Sequence, residues 1–225
     1  MAQELCNLMW NIVGGLLVAS LIFSIQWIRK KFSCWKFKQV FGNDTDEFFI
    51  VFPSYNSPSS NTVFPKPHLK VPRPKVSATT HLSTINSNAS TRGISYLSYA
   101  IGSCSPSLAQ VRSDIDLDQQ MDVSFIAVGG LNNCKSVDVL ENSSNVFLEF
   151  GKGGIQSKSS SASVANIKGN TDYGLIIKIN PDIKPNRTWL CVAGLGEWGT
   201  SGASWWLSRH WTEIYKHANS TFAHV

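Results

Sequence analysis

The residues best placed to do chemistry lie in the run Gly194-Leu195-Gly196-Glu197-Trp198-Gly199-Thr200-Ser201-Gly202. Glycines let a backbone approach a ligand closely. A Thr200 or Ser201 hydroxyl can cap a following helix, whose first amides then form a site for a phosphate or carboxylate. Gly194, Gly196 and Gly199 match G-x-G-x-x-G, but no acidic residue follows about 20 positions on within a βαβ unit, and no Gly-Lys-Ser/Thr makes a P-loop. The plainer alternative is a tight strand-to-helix turn. Gly129-Gly130-Leu131-Asn132-Asn133 repeats the pattern: the Asn132 and Asn133 amides can read a base or ribose, or simply make a turn. Ser54 and Tyr55 stand at the end of a third apolar run, where Tyr55 can stack on a base or cover the core edge.

Catalytic candidates are fewer. Glu197 is the acid of the main loop, and it could serve as nucleophile or base in cleaving the glycosidic bond of a nucleotide. That chemistry usually takes paired carboxylates. A second one is not evident, because Asp122 begins its strand and so lies at the opposite end. No nucleophile elbow G-x-S-x-G and no Ser/His/Asp order is present. The five cysteines, at 6, 34, 104, 134 and 191, include no CxxC pair. They argue against a disulfide framework and for a reducing compartment. No Cys/His spacing suits a metal. The expectation is therefore no catalytic set, no metal and no cofactor beyond a nucleotide-like ligand.

These turns must be held by strands and helices. Phe48-Phe49-Ile50-Val51-Phe52, closed by Pro53, reads as a buried strand, as do Val123–Val128, Val146–Phe150, Tyr173–Ile179 and Trp189–Ala193. Helices are expected over 94–111, 134–142 and from Ala203 to about His217. Residues 54–92, broken by Pro58, Pro65, Pro67, Pro72 and Pro74, read as a long irregular loop, and the Gly/Ser-rich stretch 151–170 as a mobile one. Apolar strands ending in glycine turns before helices indicate an α/β layered domain with a mainly parallel sheet, in which ligands bind outside the carboxyl ends of the strands. Ser54-Tyr55, 129–133 and 194–201 should then converge. Trp205, Trp206, Leu207, Trp211, Ile214 and Tyr215 mark an amphipathic helix, packed on the core or against another copy.

With 225 residues there is room for a membrane segment and one domain. Leu5 to Ile28 holds no charge, has Trp10 and Trp27 near its two ends, and is long enough to span a bilayer as a helix. Arg29, Lys30, Lys31, Lys36 and Lys38 follow it, which places the C-terminal side in the cytoplasm. A cleaved signal peptide would carry its charges first and a small-residue site after. Residues 1–28 are thus read as an anchor, 29–46 as a basic linker and 47–225 as the domain. The linker cations attract anionic headgroups by about 1 kcal/mol each. They account for much of the net charge of +5 without a nucleic-acid duplex. Gly14 and Gly15 would let such helices pack closely, and Asn11, Ser20, Ser24 and Gln26 are polar positions within the run. The sequons at Asn43, Asn88, Asn142, Asn186 and Asn219 would stay unmodified in the cytoplasm.

Three stretches carry a resemblance. Asp172–Pro181, then Arg187–Ala203 with its Gly-Thr turn, together with the Val-Gly-Gly turn at 128–132, is similar to the Rossmann-like module of bacterial proteins. In layout the chain resembles membrane-anchored effectors of bacterial anti-phage signalling, which join a short transmembrane segment to a cytoplasmic sensor domain. The resemblance implies a single-pass inner-membrane protein that binds a small phosphorylated or anionic ligand and forms a homo-oligomer.

Overall fold

The computed structural model describes residues 2–42, 48–54, 88–104, 110–117, 119–151, 154–166, 171–216 and 221–225. The chain divides into two compact units, 1–36 and 37–225. In the first, the charge-free run is part of helix α1 (Ala2–Phe41), the one described helix long and apolar enough to cross a membrane. Met9, Trp10, Ile12, Val18 and Ile22, which fall on every side of a 3.6-residue helix, are all exposed. A helix apolar all round needs a surrounding apolar phase.

The basic stretch is helical as far as Phe41. The last residues of α1 belong to the second unit, where Phe37, Val40 and Phe41 are buried. The Phe37 and Phe41 rings stack at 4.1 Å, and Trp211 meets Phe37 edge-on at 5.3 Å. The i, i+3, i+4 spacing of these residues makes a narrow apolar stripe that the intervening lysines conceal.

The second unit holds a six-stranded sheet. In chain order its strands are β1 (Phe48–Phe52), β2 (Gln110–Ser113), β3 (Ser124–Val128), β7 (Gly174–Ile179), β8 (Trp189–Gly194) and β9 (Phe222–His224). A separate antiparallel sheet is formed by β4 (Leu148–Gly151), β5 (Gly154–Ser157) and β6 (Ser163–Asn166). The main sheet runs β2-β1-β3-β8-β7-β9. Its first four strands are parallel, whereas β7 and β9 join antiparallel. The mainly parallel sheet expected from sequence thus holds, with an antiparallel flank. The cause of the flank is chain length: residues 180–188 cannot make a parallel crossover, which takes roughly a dozen residues or more.

Burial alternates along the strands. Phe48, Ile50, Ile126, Val128, Leu190 and Val192 face one core with helices α2 (Asn88–Cys104) and α4 (Glu197–Tyr215). Phe49, Val51, Phe125, Ala127, Trp189 and Cys191 face another with helix α3 (Cys134–Glu141), Leu148, Ile155 and Ala165. Several expectations change. The helix expected over 94–111 starts at Asn88 and ends at Cys104, and Val111 lies in β2. Residues 88–92 therefore leave the irregular loop, and 55–87 lie outside the described residues. The apolar run at 146–150 leaves the main sheet, and part of the Gly/Ser-rich stretch forms β5 and β6, where Ile155 and Ala165 pair and are buried. In α4, Leu207 and Ile214 are buried and Trp206, Trp211 and Tyr215 pack beside them, so this face is core, with Trp205 left exposed.

Lys178 is buried in β7, and its Nζ donates to the Gln39 carbonyl at 2.5 Å. Burial lowers its pKa from 10.5 to about 8. The unfolded chain then holds more protons than the folded one between these values, so stability from this group rises with pH across that window. We expect the melting temperature to climb more between pH 7.5 and 10 in the wild type than in Lys178→Met, measured by thermal denaturation. Parallel curves for the two proteins would refute this.

Candidate functional site at the carboxyl edge of the sheet

Strands β1, β3 and β8 are adjacent and parallel, with Val51 beside Ala127 and Val128 beside Val192. Their carboxyl ends therefore lie side by side, and the three turns singled out from sequence share one edge. The chain leaves β1 for helix α2 on one face of the sheet and leaves β3 for α3 on the other. Adjacent strands whose connections part to opposite faces open a crevice at a topological switch point. The loops there are close: a Cβ on Gly129, whose φ is +113°, would sit 3.4 Å from Pro53 Cγ. Half-buried Gly130 lies next to the Phe150 ring.

The polar groups of this edge serve mostly to hold it together. Asn133 is fully buried as the N-cap of α3. Its Oδ1 accepts from the Lys135 amide, and its Nδ2 donates to Val51 O at 3.0 Å and Val128 O at 3.1 Å. With both amide protons spent on strand ends, Asn133 is a strut and not a reader of a base, which corrects the expectation. Asn132 beside it is half-buried. Asp114, fully buried after β2, bridges the same loops: its Oδ1 accepts from the Ser54 amide at 2.9 Å and its Oδ2 from the Cys134 amide at 3.1 Å.

The glycine-rich turn is also closed from within. Helix α4 begins at Glu197, six residues before the expected start, with Gly196 as its N-cap. Thr200 and Ser201 therefore cap nothing: both lie inside the helix and are buried. The anion at the helix start is Asp172, whose carboxylate accepts from Gly196 N at 2.9 Å and Gly199 N at 2.5 Å. Gly194, Gly196 and Gly199 are glycines for this reason. A Cβ on Gly194 would collide with the Thr200 amide, one on Gly199 with the Tyr173 carbonyl, and one on Gly196 with the Asp172 carboxylate. The close approach that G-x-G-x-x-G permits is here an approach of the chain to itself. Local sequence offers no sign of it, because Asp172 stands 24 residues from Gly196.

Glu197 occupies the first position of α4 and is exposed. The nearby acid, Asp172, is committed to three amides, those of Tyr173, Gly196 and Gly199, while Asp122 pairs with Lys184 and Arg187. Tyr55 lies outside the described residues. Sequence reasoning passed over Arg92. Its guanidinium lies over the ring of Trp198, 4.6 Å from the centroid, and its Nε is buried with no hydrogen-bond partner. The Oγ atoms of Ser54 and Ser201 are likewise buried and unpartnered. Cys191 in β8 is fully buried, which pushes its thiol up to about 12 and leaves it a protonated core residue. Among the described residues no three His, Cys, Asp or Glu side chains come together as a metal site requires. Farther along α4 a shallow groove of about 310 Å³ is lined by Gly174, Ala203, Trp206 and His224, with the Trp206 and His224 rings stacked at 4.4 Å.

Against known proteins the chain matches no protein family, no curated protein and no solved structure.

Asp172 should thus act in folding. Asp172→Ala strips two helix-start amides of their acceptor and should cost about 1–2 kcal/mol, read as a lower melting temperature. Gly199→Ala, which drives a methyl group into backbone, should be harsher and yield little folded protein. An unchanged melting temperature in Asp172→Ala would show that the carboxylate does not hold the turn.

Proposed function

We propose that the chain is a single-pass inner-membrane protein whose Rossmann-like α/β unit lies in the cytoplasm and binds a small nucleotide-like anion, acting as a sensor or effector. The observation that carries this reading is the strand order, which ends β1, β3 and β8 side by side at a topological switch point. Crevices at such points take ligands in open α/β sheets. The exposed apolar helix supports the anchor, and the cations from Arg29 to Lys38 support a cytoplasmic domain. Ligand binding would drive self-association of the anchor helices and so perturb the membrane. The role in anti-phage signalling rests on the resemblance in layout.

The test uses the full chain in detergent or nanodiscs. A panel of nucleotides, including cyclic oligonucleotides and NAD, is screened by thermal shift, and each hit is analysed for products. A nucleotide that raises the melting temperature by several degrees and is recovered intact is the expected result. A nucleotide that is consumed would replace the sensor with a tethered glycohydrolase, and Glu197→Gln would then abolish turnover. No shift with any nucleotide would overturn the ligand-binding reading.

A further inference from the structure

The internal carboxylates raise the question of where a phosphoryl group could bind. Three helices start at this edge, and two are already answered: Asp114 meets the first amide of α3, and Asp172 meets the turn into α4. Helix α2 has no acid in its first turn. It does have Arg92, whose guanidinium lies over Trp198 at the start of α4 and whose Nε has no partner.

Helices α2 and α4 lie side by side on one face, and their starts share the carboxyl edge. Gly93 packs against Ser204 of α4 and against Val128 at the end of β3. One residue earlier, Arg92 covers one side of Trp198. Trp198, Ser201 and Ser204 recur at i, i+3 spacing and share the ridge of α4 that meets α2. Ser201 is 6% exposed, and its Oγ has no partner. Ser54, also 6% exposed with an unpartnered Oγ, follows Pro53 at the end of β1, against Gly129. A buried polar atom without a partner costs roughly 1–3 kcal/mol. The two hydroxyls and the Arg92 Nε thus stand at one edge, all three unpartnered.

We infer that Arg92 takes the phosphoryl group of a nucleoside phosphate, with the Ser201 hydroxyl, and Ser54 at the rim, completing the donor set. The inference rests on the proposed ligand-binding role and deepens it. An Arg presents Nε–H and one Nη–H as a fork that matches two phosphate oxygens. The unsatisfied Nε is one tine of that fork. The dipoles of α2 and α4 point their positive ends toward the same place. Trp198 is 71% exposed, so its ring face away from Arg92 is open to a base. Base–aromatic stacking contributes about 1–3 kcal/mol per base. Glu197 stands one turn before Ser201 on the same side of α4 and is exposed, so its carboxylate borders the site and the Arg92 charge must outweigh it.

The probe is inorganic pyrophosphate, titrated onto the full chain in detergent and followed by isothermal titration and tryptophan emission, with sulfate at equal ionic strength as control. Saturable binding to the wild type is expected, weakened at least tenfold in Arg92→Gln and less in Arg92→Lys, which keeps the charge but loses the fork. Ser201→Ala should weaken it several-fold. Trp198→Phe should keep binding and lose the emission change. Circular dichroism and melting of each variant separate loss of binding from loss of fold. No binding to the wild type, or equal binding to folded Arg92→Gln, overturns the assignment. A nucleotide from the panel that stabilises wild type and Arg92→Gln equally would leave the sensor reading standing and place its phosphate elsewhere.

Discussion

Where three parallel strands end side by side and helices leave them, backbone amides crowd into one small region with their dipoles aligned. Buried amides must be paired. Here Asp114 and Asp172 supply the acceptors from distant parts of the chain. Asp114 ties the exit of β1 to the start of α3, 60 residues from one partner and 20 from the other. Asp172 ties the start of β7 to the start of α4. The antiparallel entry of β7 is what brings Asp172 to this edge, since Gly174 pairs with Gly194 at the end of β8. Those two carboxylates pair the amides at the β1 exit, the α3 start and the glycine turn.

This has a chemical consequence. A helix start surrounded by glycines attracts anions wherever they come from, and a carboxylate of the same chain competes with any phosphate from solution. The effective concentration of a tethered carboxylate is high, so the glycine turn is occupied by default. An external anion would have to be met by groups the fold does not use, such as the Arg92 guanidinium that lies over Trp198.

The elements legible in the sequence were those with a strong local signature. The runs that became β1, β3 and β8 are apolar but for Ser124, as strands buried on both faces tend to be, and the exposed first helix declares itself by length. What was not legible depends on partners far away in the chain. Phe37 and Phe41 sit among lysines and look solvated until the core is in place. The residues Asn88 to Thr91 read as loop by propensity, yet Ala89 and Ser90 are buried against the rest of the unit, and packing overrides propensity. In the site, the position of the three turns could be read, because strand ends follow from strands. The roles of Asn133 and Thr200 could not, because a hydroxyl or amide looks the same in sequence whether it faces a ligand or a neighbouring carbonyl.

The two borders of the main sheet differ from its middle in a way that bears on handling the protein. Strand β2 has four residues, is largely solvent-exposed and carries Arg112, while β9 has only three residues. Short and charged rims offer little unpaired backbone for another chain to extend. Clumping through strand addition is thus disfavoured in the globular unit, and the apolar helix Met9–Ile28 is left as the part of the molecule that most needs a detergent or lipid shield.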